Sequence, residues 1–343
     1  MYREINYEDI DRKNLDKPHI LIDVRSPSEY QLETIPGAIN IPILDDEERK
    51  IVGTIYNNES IERAKKLGIE MGARKLTLIY ERLSELNRQY GYLVFFCSRG
   101  GYRSASLVAL FKSLGLNAIK LNGGYKNYRR FINGQLPTLV EAVQFIVIYG
   151  NTGTGKTNIL NSLQNLGMDI LDLEGCANHR GSNLGDIGLG RQNSQKMFES
   201  LIYHSLRHRK SNLVFVEGES QRIGRDIIPK YLYQTMNKGM AIKIEASMDK
   251  RIENLLKEYV HDTDGEIISS LESLRRHLGD RNIDSYIDLV TRGQYRDVIE
   301  DLLIKYYDPM YEYKNRNYGA VFINEDSHTT AKKIIEYTRG SLI

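Results

Sequence analysis

Two kinds of apolar pattern alternate along the chain. Short continuous runs occur at His19–Val24 (HILIDV), Ile39–Pro42, Leu93–Phe96 (LVFF) and Ile119–Leu121, then at Val143–Tyr149, Ile170–Leu173, Leu213–Val216 and Ala241–Ile244. Runs of this length bounded by turn residues read as buried strands. Between them apolar residues recur at helical spacing, through Ile61–Leu67, Leu78–Leu86 and Ser104–Leu114, the last closed by Gly115. Arg25-Ser26-Pro27-Ser28-Glu29 is a Ser-Pro turn suited to opening a helix. Such alternation predicts an α/β fold, with parallel sheets covered by helices. Residues 249–310 break the rhythm and read as a charge-rich helical insertion.

A chain of 343 residues exceeds what one hydrophobic core usually serves. The Gly- and Pro-containing segment Asn133-Gly134-Gln135-Leu136-Pro137 is the best linker, giving domains at 1–136 and 137–343. No run approaches a membrane span, and the N-terminal MYREINYEDIDRK has no apolar core for a signal peptide. The two cysteines, Cys97 and Cys176, lie far apart, which argues for a reducing compartment, the cytoplasm, and against a disulfide framework or a cysteine-built metal site.

Net charge is only +2, but it is unevenly spread. Between Glu85 and Glu141 there is no acid, while Arg88, Arg99, Arg103, Lys112, Lys120, Lys126, Arg129 and Arg130 supply eight bases. Cys97 lies inside this stretch. Positive surroundings lower a thiol's pKa and draw in anions, so the pattern fits a thiolate meeting a phosphate-bearing substrate.

Phe96-Cys97-Ser98-Arg99-Gly100-Gly101-Tyr102-Arg103-Ser104 sets a cysteine between a strand and a helix. Backbone N–H groups of a tight glycine loop and the helix N-terminus stabilise a thiolate or a cysteine-bound anion there. Cys97 is the candidate nucleophile, with Arg99 and Arg103 beside it; Arg103, six residues on, can close over an oxyanion. A buried inert thiol explains two neighbouring arginines poorly.

Gly150-Asn151-Thr152-Gly153-Thr154-Gly155-Lys156-Thr157 satisfies G-x-x-x-x-G-K-[ST], between a predicted strand and a predicted helix. Its glycines let backbone N–H groups approach phosphate oxygens, Lys156 adds a point charge, and Thr157 is placed to bind Mg²⁺ if a metal is used. Leu213–Glu217 could be the accompanying acid-ended strand. Asn237-Lys238-Gly239-Met240 lacks the Asp of a guanine-reading motif, which disfavours a GTPase. The loop implies phosphate binding; hydrolysis does not follow from it. His204 and His208 are four apart on a predicted helix, but nothing completes a ligand set, and no metal site is expected.

Four ordered segments resemble the rhodanese superfamily: Asp23–Tyr30, Ile35–Pro42, the cysteine loop, and Leu121–Lys126. That resemblance implies a cysteine carrying sulfur or selenium as a persulfide-type adduct. The Cys-x5-Arg loop is one residue longer than in many sulfur-carrying rhodaneses and matches rhodanese-like phosphatases; a wider cradle suits a tetrahedral phosphate or selenophosphate.

Rhodanese followed by P-loop, with Asp172-Leu173-Glu174-Gly175-Cys176-Ala177-Asn178-His179-Arg180-Gly181-Ser182, Glu217–Gly224 and Tyr307-Asp308-Pro309-Met310-Tyr311 downstream, resembles the tRNA 2-selenouridine synthases. The resemblance implies an enzyme that geranylates wobble 2-thiouridine with geranyl diphosphate and then replaces the geranylthio group with selenium from selenophosphate. Cys97 would handle selenium and the P-loop would hold the prenyl diphosphate. No tightly bound cofactor is implied, and the macromolecular partner is the tRNA anticodon loop. Candidate substrate-binding residues are Glu174, Asn178, His179, Arg180, Glu217 and Arg222; Cys176 reads as packing. Two other readings compete: a Cys-x5-Arg phosphatase or sulfurtransferase coupled to a P-loop ATPase, and a rhodanese-like docking module beside a working ATPase. The first needs a general acid that the sequence does not identify. The second leaves the cysteine and both arginines without a task.

Overall fold

The computed structural model describes residues 3–260, 263–312 and 316–341. Met1 and Tyr2 of the N-terminal stretch, and the side chain of Tyr311 in the Tyr-Asp-Pro-Met-Tyr segment, lie outside the described residues. The chain divides into two compact units, residues 1–136 and 137–343. Each has its own parallel sheet.

In the first unit the strands are β1 (Glu4–Ile5), β2 (His19–Asp23), β3 (Ile39–Asn40), β4 (Tyr92–Phe96) and β5 (Ala118–Leu121), in the order β1-β5-β4-β2-β3. Every pairing is parallel, and Leu21 lies opposite Val94 in the centre. The helices are α1 (Tyr7–Asp11), α2 (Pro27–Leu32), α3 (Asp46–Asn58), α4 (Ile61–Ala73), α5 (Leu76–Gln89), α6 (Tyr102–Ser113) and α7 (Gly124–Glu141). The core packs Ile22, Val24, Leu83, Leu93, Phe95, Val108 and Phe111 around Cys97.

At the end of β2 the Asp23 carboxylate receives Arg25 Nε at 3.0 Å, Arg25 Nη2 at 2.6 Å and the Thr34 hydroxyl at 2.9 Å. Both members of the pair are buried. Removing one partner of such a pair strands a charge, at about 3–5 kcal/mol. The Asp-Val-Arg motif thus anchors the turn into α2, where Pro27 takes the first helical position and the Ser26 N–H donates to the Glu29 carboxylate at 3.2 Å.

The segment read as a linker is helical. Residues 133–137 lie inside α7, with Pro137 within the helix. A proline there costs about 3 kcal/mol. Against this, Tyr125, Tyr128, Ile132, Leu136 and Val140, spaced three or four apart, are all buried, and burying large side chains contributes roughly 1.5–3 kcal/mol each. The apolar stripe outweighs the breakers.

In the second unit the strands are β6 (Gln144–Tyr149), β7 (Asp169–Leu171), β8 (Leu213–Glu217), the short antiparallel β9 (Arg222–Ile223) and β10 (Asp226–Ile227), β11 (Met240–Glu245) and β12 (Ala320–Ile323). The parallel sheet runs β12-β11-β6-β8-β7. Its helices are α8 (Lys156–Asn165), α9 (Leu173–Ala177), α10 (Gln195–Arg207), α11 (Lys230–Lys238), α12 (Met248–Tyr259), α13 (Asp264–Ser273), α14 (Arg275–Leu278), α15 (Asp280–Thr291), α16 (Tyr295–Leu302), α17 (Asp308–Glu312) and α18 (Ser327–Ser341). Sequence patterning did not anticipate β12. Ala320-Val321-Phe322-Ile323 is an unbroken apolar run that the reading passed over; in the fold Val321 and Ile323 are exposed while Ala320 and Phe322 are half-buried.

The helices from α12 to α16 build a core of their own, with Ile252, Leu271, Ile283, Val290 and Leu303 at its centre. Between α16 and α17 the backbone makes one π-helical turn at Leu303–Tyr307. Such turns hold an extra residue and often mark working parts of a helix.

Candidate functional sites

In the first unit β4 ends at Phe96, and Cys97 opens the loop to α6. Gly100 takes φ +64° and Gly124 φ +57°. A Cβ on Gly124 would stand 2.1 Å from the Cys97 carbonyl oxygen, so that residue must be glycine. The close approach lets the Tyr125 N–H donate to the Cys97 carbonyl and the Lys126 N–H donate to the Ser98 carbonyl, each at 2.9 Å. These two bonds staple the cysteine loop to the start of α7. Among the described residues, the N–H groups of Arg99, Gly100 and Gly101 donate to no protein acceptor, which leaves them for an anion.

The Cys97 thiol is buried at 3 % exposure, with Sγ 3.3 Å from Ser104 Oγ. Arg103 does not stand alone. Its guanidinium meets the Glu29 carboxylate at 2.5 and 3.3 Å and Ser98 Oγ at 3.2 Å, while Arg49 Nε lies 3.4 Å from the same carboxylate. Burial raises the Glu29 pKa, but the Arg103 hydrogen bond and charge, with Arg49, outweigh it and hold the group down at about 2. Arg99 is exposed on the loop. Of the eight bases in the acid-free stretch, Lys120 is buried and paired with Glu4 at 2.7 Å, and Arg129 is buried too. Arg88, Arg99, Lys112, Lys126 and Arg130 are exposed.

In the second unit β6 runs into the loop Gly150–Gly155, and α8 begins at Lys156. Gly153 and Gly155 take φ of +81° and +85°. The Thr154 hydroxyl donates to the Asn151 carbonyl at 2.8 Å, and Lys156 Nζ donates to the Gly150 carbonyl at 3.0 Å. The loop is also clamped from outside. Arg251 donates to the Thr152 carbonyl at 2.9 Å and forks onto Asp308 at 2.9 and 2.6 Å, and Asp308 in turn accepts from Asn151 at 2.9 Å. Asn254 donates to the Gly153 carbonyl and the buried Asn324 to the Thr154 carbonyl, both at 2.8 Å. None of these four clamps is visible as a site in the sequence, because each lies about 100 or more residues from the loop or on an unanticipated element.

A cavity of about 440 Å³ opens on the loop, walled by Thr152, Lys156, Thr157, Glu174, Arg180 and Tyr259 among others. The Thr157 hydroxyl donates to the Glu174 carboxylate at 3.2 Å, and the Glu174 N–H donates to Glu217 at 2.8 Å. Burial pushes the Glu174 carboxyl up to about 8, with repulsion from Glu219 and Glu258 added. Burial also drives Glu217 well above the usual carboxylate range, and its Oε2 is buried without a partner. Arg180 pairs with Glu258 at 2.9 Å and lies 5.0 Å over the Tyr259 ring.

The cavity therefore gathers Glu174 and Arg180 from the sequence candidates. Glu217 lies behind its wall. Asn178 has φ +53° and caps the Leu189 and Arg191 carbonyls. His179 is buried, accepts from the Gly181 N–H at 3.1 Å, and is held below its ordinary pKa by burial. Arg222 is exposed and donates to the Gly224 carbonyl. Cys176 is buried, which pushes its thiol up and leaves it a packing residue. Ser182 and Tyr307, from the two quoted segments, also line the cavity, as do Asn183, Lys257, Glu258 and Tyr259, which were not singled out from the sequence.

A second, apolar chamber adjoins the first. Its walls include Leu184, Ile187, Ile267, Leu271, Val290 and Val298. Thr152, Ser182, Leu255, Tyr259 and Tyr307 line both spaces.

A buried cysteine on a glycine loop in one parallel α/β unit, and a clamped P-loop in the next, define a chain that joins a rhodanese-like domain to a P-loop domain. The rhodanese-like domain model matches residues 7–131, and the model described as the tRNA 2-selenouridine synthase AAA domain matches residues 143–341. A tRNA 2-selenouridine synthase of Shewanella pealeana is 32% identical, over 88% of this chain and 90% of its own length. One of Pseudomonas fluorescens is 32% identical over 94% of each. Among solved structures, a rhodanese-related protein from Thermoplasma volcanium is 25% identical, covering 36% of this chain and 86% of its own, at a TM-score of 0.19. The chain belongs to the tRNA 2-selenouridine synthase family. No helix among the described residues is long and apolar enough to cross a membrane.

Proposed function

We propose that this chain converts wobble 2-thiouridine in tRNA to 2-selenouridine in the cytoplasm, by way of an S-geranyl intermediate. Geranyl diphosphate would enter the P-loop cavity, and selenophosphate would meet Cys97. The observation that carries the prenyl half is an apolar space of about 60 Å³ that shares walls with the 440 Å³ cavity and has room for the near end of a prenyl chain. A nucleoside triphosphate needs a polar or stacking pocket for base and ribose. A prenyl diphosphate needs an anion cradle that continues into a greasy one, and Thr152, Leu255 and Tyr259 stand where the two would join.

On this reading the chain's own groups act as follows. The P-loop N–H groups and Lys156 hold the diphosphate and take up charge as it leaves. The 2-thio sulfur attacks the allylic carbon, the carbon–oxygen bond breaks, and diphosphate departs. If magnesium is used, the Thr157 hydroxyl and Glu174 would hold it, Glu174 giving up its proton to the ion, and the ion would neutralise diphosphate charge. In the first unit the free loop N–H groups, with Arg99, bind the selenophosphate anion and hold it at Cys97 Sγ.

Incubating the protein with 2-thiouridine tRNA, geranyl diphosphate and selenophosphate, followed by nucleoside mass spectrometry, tests the reading. S-geranyl-2-thiouridine should form without selenophosphate and 2-selenouridine with it. ATP hydrolysis with no geranylated nucleoside would sink it in favour of a coupled ATPase.

A further inference from the structure

We infer that Tyr102 is a stacking platform for an unstacked pyrimidine of the tRNA anticodon loop, placed at the rim of the Cys97 loop. The inference rests on the tRNA reading above and gives it a point of contact. Tyr102 is the first residue of α6, five after Cys97, and it is 60% exposed. Aromatic side chains contribute most when their faces are covered, and this one is left open beside the reactive loop. It is not loose. The Lys65 ammonium on α4 lies 4.3 Å from its ring centroid, a cation–π contact that steadies the ring while most of the residue stays exposed.

The surroundings suit a single-stranded nucleic acid. Lys65, Arg99 and Lys126 are exposed. Lys126 is fixed next to the cysteine loop through its N–H bond to the Ser98 carbonyl. The acid nearest in the hydrogen-bond network, Glu29, is occupied by Arg103 and Arg49. An open aromatic face among cations is how proteins grip unpaired bases: the ring stacks on the base while the cations meet the flanking phosphates. Selenophosphate held at Cys97 can reach C2 of a pyrimidine only if that base is out of its stack, and a ring on the rim keeps it out.

The chain has no tryptophan, so Tyr102→Trp installs a single fluorescent reporter at the platform. An anticodon stem-loop RNA carrying 2-thiouridine should quench it saturably, and added salt should weaken the interaction steeply. Tyr102→Ala should weaken stem-loop binding about 5- to 150-fold, the range for losing one base–aromatic stack. Tyr102→Phe should restore it. Binding of selenophosphate to the Cys97 loop, read by its protection of Cys97 from iodoacetamide, should be the same in all variants. If the stem-loop binds, by anisotropy, without quenching the Trp variant, and Tyr102→Ala binds as tightly as wild type, the platform is disproved and the RNA is held elsewhere. If the reporter is quenched but wild type makes no selenouridine, the stacking site stands and the proposed reaction falls.

Discussion

The chain contains two anion cradles of the same plan, strand then glycine loop then helix, and they are held in opposite ways. The Cys97 loop is secured from nearby, by the Gly123-Gly124 turn that follows the next strand and by Glu29 of the adjacent β2–α2 turn. The P-loop is gripped by Arg251, Asn254, Asp308 and Asn324, all at least 90 residues downstream. The first is a self-contained reactive centre. The second exists in working shape only when the helical segment and the last strand have folded onto it. Similar loops thus carry different dependencies, and a local motif says which atoms bind but not what keeps them in place.

The largest separation should come from the nucleophile. Cys97→Ser should abolish selenium incorporation while diphosphate binding stays at the wild-type level, because a serine hydroxyl stays protonated at neutral pH and leaves the packing almost unchanged. Selenouridine yield near that of wild type would remove Cys97 from the chemistry.

Next comes the remote clamp. Arg251 is buried and forked onto Asp308. Arg251→Met should destabilise the second unit by about 3–5 kcal/mol and weaken geranyl diphosphate binding with it, while Cys97 alkylation rates stay unchanged. Calorimetry and a thiol-labelling assay on one preparation would check both. An unaltered diphosphate affinity would mean that the loop holds its shape without the helices.

The smallest effect should be at Glu29. Its folded-state pKa of about 2 lies below the usual 4.5, so its ionised form stabilises the fold above pH 4.5, and that contribution is lost as pH falls toward 2. Glu29→Gln should therefore lower stability by about 1–3 kcal/mol at pH 7, with the gap to wild type closing in acid. A gap that does not change with pH would place the cost in packing and not in charge.

Much of the fold was legible because it rests on local pattern. The runs around His19–Val24, Leu93–Phe96, Val143–Tyr149 and Leu213–Val216 are strands, and the helical stretch after residue 45 is helical. The two loops were legible because their chemistry needs particular residues at fixed spacing. What escaped depended on the third dimension. Pro137 and the glycine before it look like a break until the buried stripe from Tyr125 to Val140 is seen. Tyr307 and Asp308 stood in a recognisable segment, yet their tasks, lining both cavities and holding Arg251, follow only from the helix that delivers them. Lys257, Glu258 and Tyr259 read as an ordinary charged helix end, because nothing along the sequence says which side of α12 meets the P-loop.

The π-helical turn at Leu303–Tyr307 has a consequence best put as phase. In an α-helix each residue turns the chain by 100°, so one residue too many or too few sends everything beyond it to a different side. The wide turn absorbs one residue's worth of rotation between α16 and α17. Before it, the helix keeps time with its own apolar core; after it, the helix keeps time with the P-loop, and Asp308 comes round to meet both Asn151 and Arg251. Two clocks run on one continuous helix, and the five residues between them hold the offset.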